Sequence, residues 1–114
     1  MIGLPVATAW DTTQMPRRPG VPGPPNSYLA ADGTWPDGPF QDDTPETIQV
    51  AAHIASSIRD AVTEAGLNVT QVSDGLGIAR STYYDIVTNG TVLPDLHTIV
   101  RAEAFLNIRL WPRP

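Results

Sequence analysis

The chain has 114 residues, no cysteine and a formal net charge of −5, from twelve acidic and seven basic residues. This length allows one small domain, and the absence of cysteine excludes disulfide bonds and thiolate metal sites, so packed apolar helix faces must supply the stability. Two histidines without a neighbouring carboxylate cluster do not indicate an enzyme. We therefore predict no catalytic residue, no metal and no cofactor.

Membrane insertion is not expected either. No apolar run approaches the roughly 18 residues that cross a bilayer, and the N-terminus has no basic segment followed by a hydrophobic one. The sequence thus predicts a cytoplasmic protein. Its acidic charge opposes approach to a polyanion, so any affinity for nucleic acid has to come from a few well-placed arginines or from a dimer.

Residues 1–43 are expected to form an irregular arm. Nine of the twelve prolines and five of the nine glycines lie in residues 1–45, where they prevent helix formation and interrupt strand ladders. The arm nevertheless contains Trp10, Tyr28, Trp35 and Phe40. Because solvated linkers contain few aromatic residues, we expect these rings to pack against a surface.

Residues 44–114 carry a helical pattern, and no strand is predicted in the chain. The first helix is expected to begin with Thr44 as N-cap and Pro45 in the first helical position, and to end at Gly66. The apolar positions that recur at steps of three and four along it are Ala51, Ala55, Ile58, Val62 and Ala65. This spacing predicts one buried face.

Three shorter helices follow in the predicted order. Asn68 and Gln71 have the spacing of a capping box, which starts the second helix, and Gly77 ends it. The third helix runs from about residue 79 to 88 and ends at Asn89-Gly90. The fourth begins at Pro94, with Asp95 in its first turn. The residues spaced to face the core from this last helix are Leu96, Ile99, Val100 and Leu106.

The segment between the second and third helices indicates a tight turn. Gly77 can adopt the positive φ that such a turn requires, and this turn sets the angle between the two helices. Ile78, Tyr83 and Ile86 are predicted to turn inward. The opposite face of the third helix is then left free.

This arrangement resembles the helix-turn-helix of the phage lambda repressor and Cro family. The resemblance extends roughly from Ile48 to Trp111. It rests on Asn68 to Gln71, Leu76-Gly77-Ile78-Ala79-Arg80-Ser81-Thr82, Asn89-Gly90 and Pro94-Asp95-Leu96-His97-Thr98-Ile99. The resemblance implies an all-α fold, in which a compact domain of four to five helices over residues 44–114 follows the irregular arm of residues 1–43.

Four features depart from the family pattern. Ala79 replaces the usual capping serine or threonine, one extra residue precedes Asn89-Gly90, and Glu103 occupies a position that is mostly small and apolar in the family. A fifth helix contributes to dimerisation in many relatives, whereas here the fourth helix is followed by a short tail. We therefore expect the arm, with Trp10 and Trp35, either to pack across a two-fold partner or to cover its own domain.

The resemblance implies that the third helix enters the major groove with its N-terminal residues at base edges. Arg80 is the leading candidate, since its planar fork can bond guanine O6 and N7 together; the alternative is an ordinary surface arginine. The other candidates for contacts to bases or phosphate are Thr70, Gln71, Ser81, Thr82, Tyr84 and Thr88. Gln71 has a simpler alternative, which is only to close its capping box.

Three further charged residues receive the simpler interpretation. Asp85 lies near the same face, where a carboxylate can accept a hydrogen bond from cytosine or repel phosphate, and we interpret it as a solvated or capping charge. Arg59 and Arg101 are interpreted as surface residues that pair with nearby acids.

The expected function is therefore that of a transcriptional regulator of prokaryotic or phage type. We expect it to be a repressor that reads double-stranded DNA as a homodimer. The alternative is a protein-interaction module on the same helical scaffold, antitoxin-like or regulator-binding, with weak or no DNA binding. In that interpretation the aromatic-rich arm docks a protein partner, and this alternative accounts for the acidic charge.

Overall fold

The computed structural model describes residues 23–111. A 3₁₀ turn (Pro25–Tyr28) leads into two strands and four helices. The strands are β1 (Leu29–Thr34) and β2 (Gly38–Phe40), and the helices are α1 (Glu46–Ala65), α2 (Val69–Leu76), α3 (Arg80–Tyr83) with a π-helical continuation (Tyr84–Asn89), and α4 (Leu96–Leu106). The order of the four predicted helices is confirmed.

The expectation of an all-α fold without strands is wrong. β1 and β2 form an antiparallel hairpin inside the predicted irregular arm, with Leu29 opposite Phe40 and Thr34 opposite Gly38. A two-stranded sheet consists only of edge strands, which tolerate proline because the missing N–H is not needed by a further neighbour. The first four residues of β1 also include no β-branched side chain, so strand propensity gave no signal there. The boundary between residues 43 and 44 stays a prediction.

The start of α1 differs from the expected cap. The Thr44 hydroxyl donates a hydrogen bond to the Gln41 carbonyl oxygen (2.6 Å), and Pro45 is the N-cap, with no side-chain cap. The predicted end is confirmed, because Gly66 has a φ of 69°. Backbone N–H groups of Gly66 and Leu67 bond back to the last turn of the helix, which satisfies carbonyl groups that otherwise have no partner.

The second helix begins and ends as predicted. The Asn68 Oδ1 atom accepts from the backbone N–H of Gln71 (2.8 Å), and the Gln71 Oε1 atom accepts from the backbone N–H of Asn68 (2.9 Å). This reciprocal pair is a complete capping box. Gly77 ends the helix with a φ of 71°, in the left-handed region that glycine adopts without strain.

The fourth helix begins two residues later than predicted. Asp95 is its N-cap rather than a residue of its first turn, because the carboxylate accepts from the backbone N–H of Thr98 (2.7 Å) and the backbone of Asp95 is extended. Pro94 lies outside the helix. Asn107, in the left-handed conformation with a φ of 55°, ends it.

The core lies between the helices and is closed by the tail. Its buried members are Ile54, Ile58, Val62, Val72, Leu76, Tyr83, Ile86, Val87, Ile99, Ala102 and Leu110. The predicted inward direction is confirmed for Ile99, and Leu106 packs partly against the core. It is wrong for Leu96 and Val100, which are 68% and 53% exposed. Ile99 and Ala102 mark the side of α4 that faces the core, and Leu96 and Val100 lie beyond one edge of that side.

The N-cap of α4 predicts a pH dependence of stability. The hydrogen bond from the Thr98 backbone N–H lowers the pKa of Asp95. The ionised carboxylate thus stabilises the folded state fully above the unfolded-state pKa of about 3.9, and this contribution is lost as the pH falls through the lower folded-state pKa. We expect the free energy of unfolding, measured in urea, to fall more between about pH 7 and about pH 3 for the wild type than for Asp95→Asn, whose cap does not titrate.

Asp95→Ala is the control, since it removes the cap at every pH and is expected to cost about 1 kcal/mol at neutral pH. An identical pH dependence for the wild type and Asp95→Asn would show that this carboxylate does not contribute.

Candidate nucleic-acid interface

The turn between α2 and α3 is held by backbone contacts around Gly77. The N–H groups of Gly77 and Ile78 bond to the carbonyl groups of Asp74 and Ser73 (3.2 and 3.0 Å). Ser73 is buried, and its hydroxyl donates to the Val69 carbonyl oxygen (2.7 Å), so this small polar side chain is satisfied inside the helix pair. The turn therefore fixes the direction in which α3 leaves α2.

The inner face of the third helix is anchored in the core. Tyr83, Ile86 and Val87 are buried, and Ile78 packs partly against the same cluster. The predicted inward direction of Tyr83 and Ile86 is confirmed. Burial raises the pKa of the Tyr83 phenol, with a smaller contribution from Tyr84. The ring therefore stays neutral under ordinary conditions.

The extra residue before Asn89-Gly90 is accommodated by a change of helix type. Residues Tyr84–Asn89 form a π-helical segment that continues α3, where a single α-helix was predicted. A π-helical turn holds more residues than an α-helical turn, so an insertion can enter without ending the helix. The two adjacent residues Ile86 and Val87 are both buried in this segment.

The outer face of the same helix carries the candidate base-reading residues. Arg80, Ser81, Tyr84 and Thr88 are exposed, and Thr82 is half-buried. Tyr84 keeps 44% of its surface exposed while its ring meets Tyr83 edge to face, with centroids 6.1 Å apart. The structure thus brings four of the five candidates on this helix to one free surface, and their contacts with DNA stay a prediction.

Arg80 differs from Arg59 and Arg101, which have partners within the fold. Within residues 23–111 the Arg80 guanidinium has no hydrogen-bond or ion-pair partner, and among the described arginines it shares this with Arg109 of the tail. Arg59, by contrast, bonds to Asp37 and Asp60 (3.0 Å each), and the hydrogen bond with Asp37 is the main reason that its pKa is raised. Arg59 therefore does pair with acids, but with Asp60 next to it in the chain and Asp37 of the arm rather than with an acid three or four residues away.

Arg101 is engaged in another way than predicted. Its guanidinium donates to the Gly75 carbonyl oxygen at the end of α2 (3.0 Å) rather than to an acid. This contact ties α4 to the last turn of α2, where a cation is favourable beside free carbonyl groups. Arg101 therefore has a structural role next to the turn.

At the start of α2, Thr70 and Gln71 are both exposed. The capping role of Gln71 is confirmed, but it uses only the Oε1 atom. The Nε2 group makes no hydrogen bond to any residue in the described range. It can still donate to phosphate, so the two interpretations of Gln71 are compatible.

Sequence reasoning missed that the arm reaches the far end of the third helix. The Trp35 indole N–H donates to the Ile86 carbonyl oxygen (3.0 Å), and Asn26 bonds through its side chain to Asn89 and through its backbone N–H to Gly90. The arm with Trp35 was expected either to pack across a two-fold partner or to cover its own domain, and the structure places Trp35 on its own domain. The aromatic content of the arm was the only signal. Trp10 lies outside the described residues.

Glu103, which occupies a position that is mostly small and apolar in the family, binds the tail of the chain. Its Oε2 atom accepts from the backbone N–H groups of Leu110 and Trp111 (2.8 and 3.0 Å). This carboxylate folds the tail back so that Leu110 enters the core. A small apolar residue at position 103 could not hold the tail in this way.

An apolar groove of about 510 Å³ opens beside the tail. It lies between the first half of α1 and the start of α4. Its lining is formed by Glu46, Thr47, Val50, Ala51, Ile54, Leu93, Pro94, Leu96, Ile99 and Trp111. Trp111 lies at the edge of the groove and is 45% exposed. Together with Leu96 and Val100, it leaves an apolar surface on this side of the domain, called below the α4 face.

Other site types find no support within residues 23–111. This range contains no group of three or more histidine or carboxylate side chains that could hold a metal ion. None of its helices is long and apolar enough to cross a membrane. The outer face of the third helix is thus the candidate site that the sequence and the geometry share.

The family model described as helix-turn-helix matches residues 58–110, from the second half of α1 through α4 to the tail. This segment is a lambda repressor-like helix-turn-helix. Comparisons with curated proteins and with solved structures give no significant match. In helix-turn-helix domains the second helix of the motif is the one that enters the major groove. The helix in that place here, after the turn at Gly77, is α3 with its π-helical continuation, called below the recognition helix.

The uncapped start of the recognition helix generates a prediction. Ala79 is its N-cap, with extended backbone and no side-chain cap, so backbone N–H groups of the first turn lack an internal acceptor. We expect Ala79→Thr to stabilise the domain by about 0.5–1 kcal/mol, because its hydroxyl oxygen can accept from that turn. Thermal unfolding of the two proteins measures the difference.

Ala79→Val is the matched control, since valine has the shape of threonine without the oxygen. Equal stabilities of the Thr and Val variants would mean that the first turn gains nothing from a side-chain cap.

Proposed function

We propose that this protein is a transcriptional regulator that binds double-stranded DNA sequence-specifically, reads the major groove with the recognition helix, and represses transcription by occupying an operator. The helix-turn-helix over residues 58–110 supports the DNA-binding part, because this family is a DNA-binding domain type. Reading DNA requires access to the genome, which for a regulator of prokaryotic or phage type means the cytoplasm.

The observation that carries this proposal is the free guanidinium of Arg80. It stands at the N-terminal end of the recognition helix, where side chains reach base edges in this docking mode. Arg59 and Arg101 already have partners within the fold, whereas Arg80 has none there. Its bidentate geometry fits guanine and distinguishes it from other bases by roughly 1–3 kcal/mol.

Around Arg80, four further residues have supporting roles. Ser81 and Tyr84 lie closest to it on the exposed surface and contact bases or a thymine methyl group, and Thr88 extends this surface by another turn. Thr82 is half-buried and contributes at the edge. Thr70 and the free Nε2 group of Gln71 bind phosphate at the exposed start of α2.

The net charge of −5 argues for two copies on each operator. A single acidic domain gains little from phosphate attraction, whereas a dimer doubles the specific contacts and binds two half-sites one helical turn apart. The α4 face is the surface that we assign to this homodimer, since Leu96 is 68% exposed there and Trp35 of the arm is bound to its own domain.

A second candidate function is a protein-interaction module, and the apolar groove favours it. In that case the α4 face receives a different protein and the recognition helix binds DNA weakly or not at all. The two candidates predict opposite results in a DNA selection.

The first test is a selection from random duplexes at low and near-physiological salt. We expect one sequence to be enriched by the wild type, and Arg80→Ala to bind that sequence about 10- to 100-fold more weakly, which corresponds to the loss of one bidentate base contact. Arg109→Ala is the matched control. It removes the same charge from an exposed residue in the tail and should lower affinity for all sequences only slightly.

Two results would contradict the proposal. If the wild type enriches no sequence even at low salt, the protein-interaction module is favoured. If Arg80→Ala and Arg109→Ala weaken binding equally and for all sequences, Arg80 acts only as a charge.

The homodimer is tested by Leu96→Asp. Aspartate in the first turn of a helix is favourable, and position 96 is the most exposed apolar site, so the monomer should remain folded. We expect light scattering to show a dimer for the wild type and for the control Thr63→Asp, which adds the same charge at an exposed position of α1, and a monomer for Leu96→Asp. A monomeric wild type at high concentration would exclude this interface.

A further inference from the structure

We propose that the β-hairpin of the arm and the 3₁₀ turn before it form a clamp that fixes the second half of the recognition helix, with Trp35 of the hairpin and Asn26 of the 3₁₀ turn as positioning residues for DNA reading. The proposal rests on the function proposed above for its consequence, but its physical basis is independent of DNA. It concerns the segment Tyr84–Asn89 and the residue Gly90 that ends it.

The clamp satisfies carbonyl groups that the helix cannot satisfy itself. The last carbonyl groups of a helix lack an internal partner. The Asp85 carbonyl oxygen accepts from the backbone N–H groups of Gly90 and Thr91. The Ile86 and Asn89 carbonyl oxygens accept from residues of the arm.

Three hydrogen bonds cross from the arm to this helix end. The Trp35 indole N–H donates to the Ile86 carbonyl oxygen (3.0 Å), the Asn26 amide donates to the Asn89 carbonyl oxygen (3.1 Å), and the Asn26 backbone N–H donates to the Gly90 carbonyl oxygen (2.8 Å). Each joins residues that are far apart in the chain, so none of them can form from local sequence alone.

Close packing adds to these bonds. The Trp35 ring covers Gly90 so closely that a Cβ atom there would lie 2.5 Å from the indole, and Gly90 also has a φ of 70°. Only glycine fits both conditions without strain. The helix therefore ends against the ring of Trp35.

The hairpin is itself held on the other side. The Trp35 ring meets Phe40 edge to face at 6.0 Å, and Asp37 in the hairpin turn pairs with Arg59 of α1 (3.0 Å). Tyr28, just before β1, is buried. The hairpin thus connects the long first helix to the end of the recognition helix.

The recognition helix needs such support because its own sequence holds it weakly. Its α-helical part has four residues and no side-chain N-cap, and the remainder is π-helical. π-helical turns are rare and depend on their surroundings. A return to α-helical geometry would shift the register by one residue, which rotates Thr88 by about 100° relative to Arg80. The clamp therefore determines whether Arg80 and Thr88, at the two ends of the exposed side of the recognition helix, point to the same groove.

The test uses Trp35→Phe, which keeps an aromatic ring but removes the indole N–H. We expect the amide hydrogens of Gly90 and Thr91 to exchange about three- to tenfold faster, the range that one neutral hydrogen bond supports, while amides in the middle of α1 change little. Ser56→Ala is the matched control, because it also removes one side-chain hydrogen bond to a backbone carbonyl group, but within α1 and outside the α4 face. Asn26→Ala should act in the same direction as Trp35→Phe.

DNA binding supplies a readout that a purely stabilising role would not move. With the selected duplex, Trp35→Phe should lose discrimination at base pairs read by the Thr88 end by a similar factor and keep discrimination at the base pair read by Arg80. A uniform loss at all positions, or exchange at Gly90 and Thr91 no faster than in Ser56→Ala, would overturn the proposal.

The two proposals can fail separately. If the wild type does not select DNA, the reading role of Trp35 fails together with the proposed function, and hydrogen exchange still decides whether the hairpin fixes the helix end. If the wild type selects DNA and Trp35→Phe behaves like Ser56→Ala in both measurements, only the clamp is excluded.

Discussion

Tyr83, Ile86 and Val87 enter the core between α1, α2 and α4, and this contact determines what the rest of the molecule presents to solvent. Because the inner side of the recognition helix is buried, the opposite side has to face outward. The π-helical segment allows the adjacent pair Ile86 and Val87 to be buried together while Tyr84 and Thr88 stay exposed. Packing thus selects an unusual backbone, since burial of apolar side chains outweighs the poorer helix geometry.

The net charge of the protein has to be considered together with the partners that its arginines have within the fold. A net charge of −5 would suggest a surface unsuited to DNA. Yet two arginines make contacts within the fold. Arg59 joins α1 to the hairpin, and Arg101 joins α4 to α2. Arg80 is left uncommitted at the start of the recognition helix. The function proposed above therefore depends on the placement of one guanidinium rather than on overall attraction of DNA.

Two segments outside the four helices hold the domain together at its ends. The hairpin, through Trp35, and the 3₁₀ turn before it, through Asn26, contact the end of the recognition helix. The tail is folded back by Glu103 so that Leu110 completes the core. In a small domain without disulfide bonds, such additions increase the buried surface that a four-helix core can supply. They also leave the α4 face open.

The sequence by itself determined the helical part. Periodic apolar positions, the Asn68 and Gln71 capping box, and Gly66, Gly77 and Gly90 are local signals, because each acts through neighbours within about one turn. These signals were enough to place the four helices, the turn, and the exposed Arg80.

Only the tertiary structure decided the rest. The hairpin was missed because its short strands lie in a proline-rich part of the chain and are stabilised by contacts with distant residues, such as that of Trp35 with Ile86. The exposure of Leu96 and Val100 was missed because spacing shows that residues share a face but not which face the core occupies. The π-helical segment also depended on packing, since an inserted residue alone does not show how a helix absorbs it.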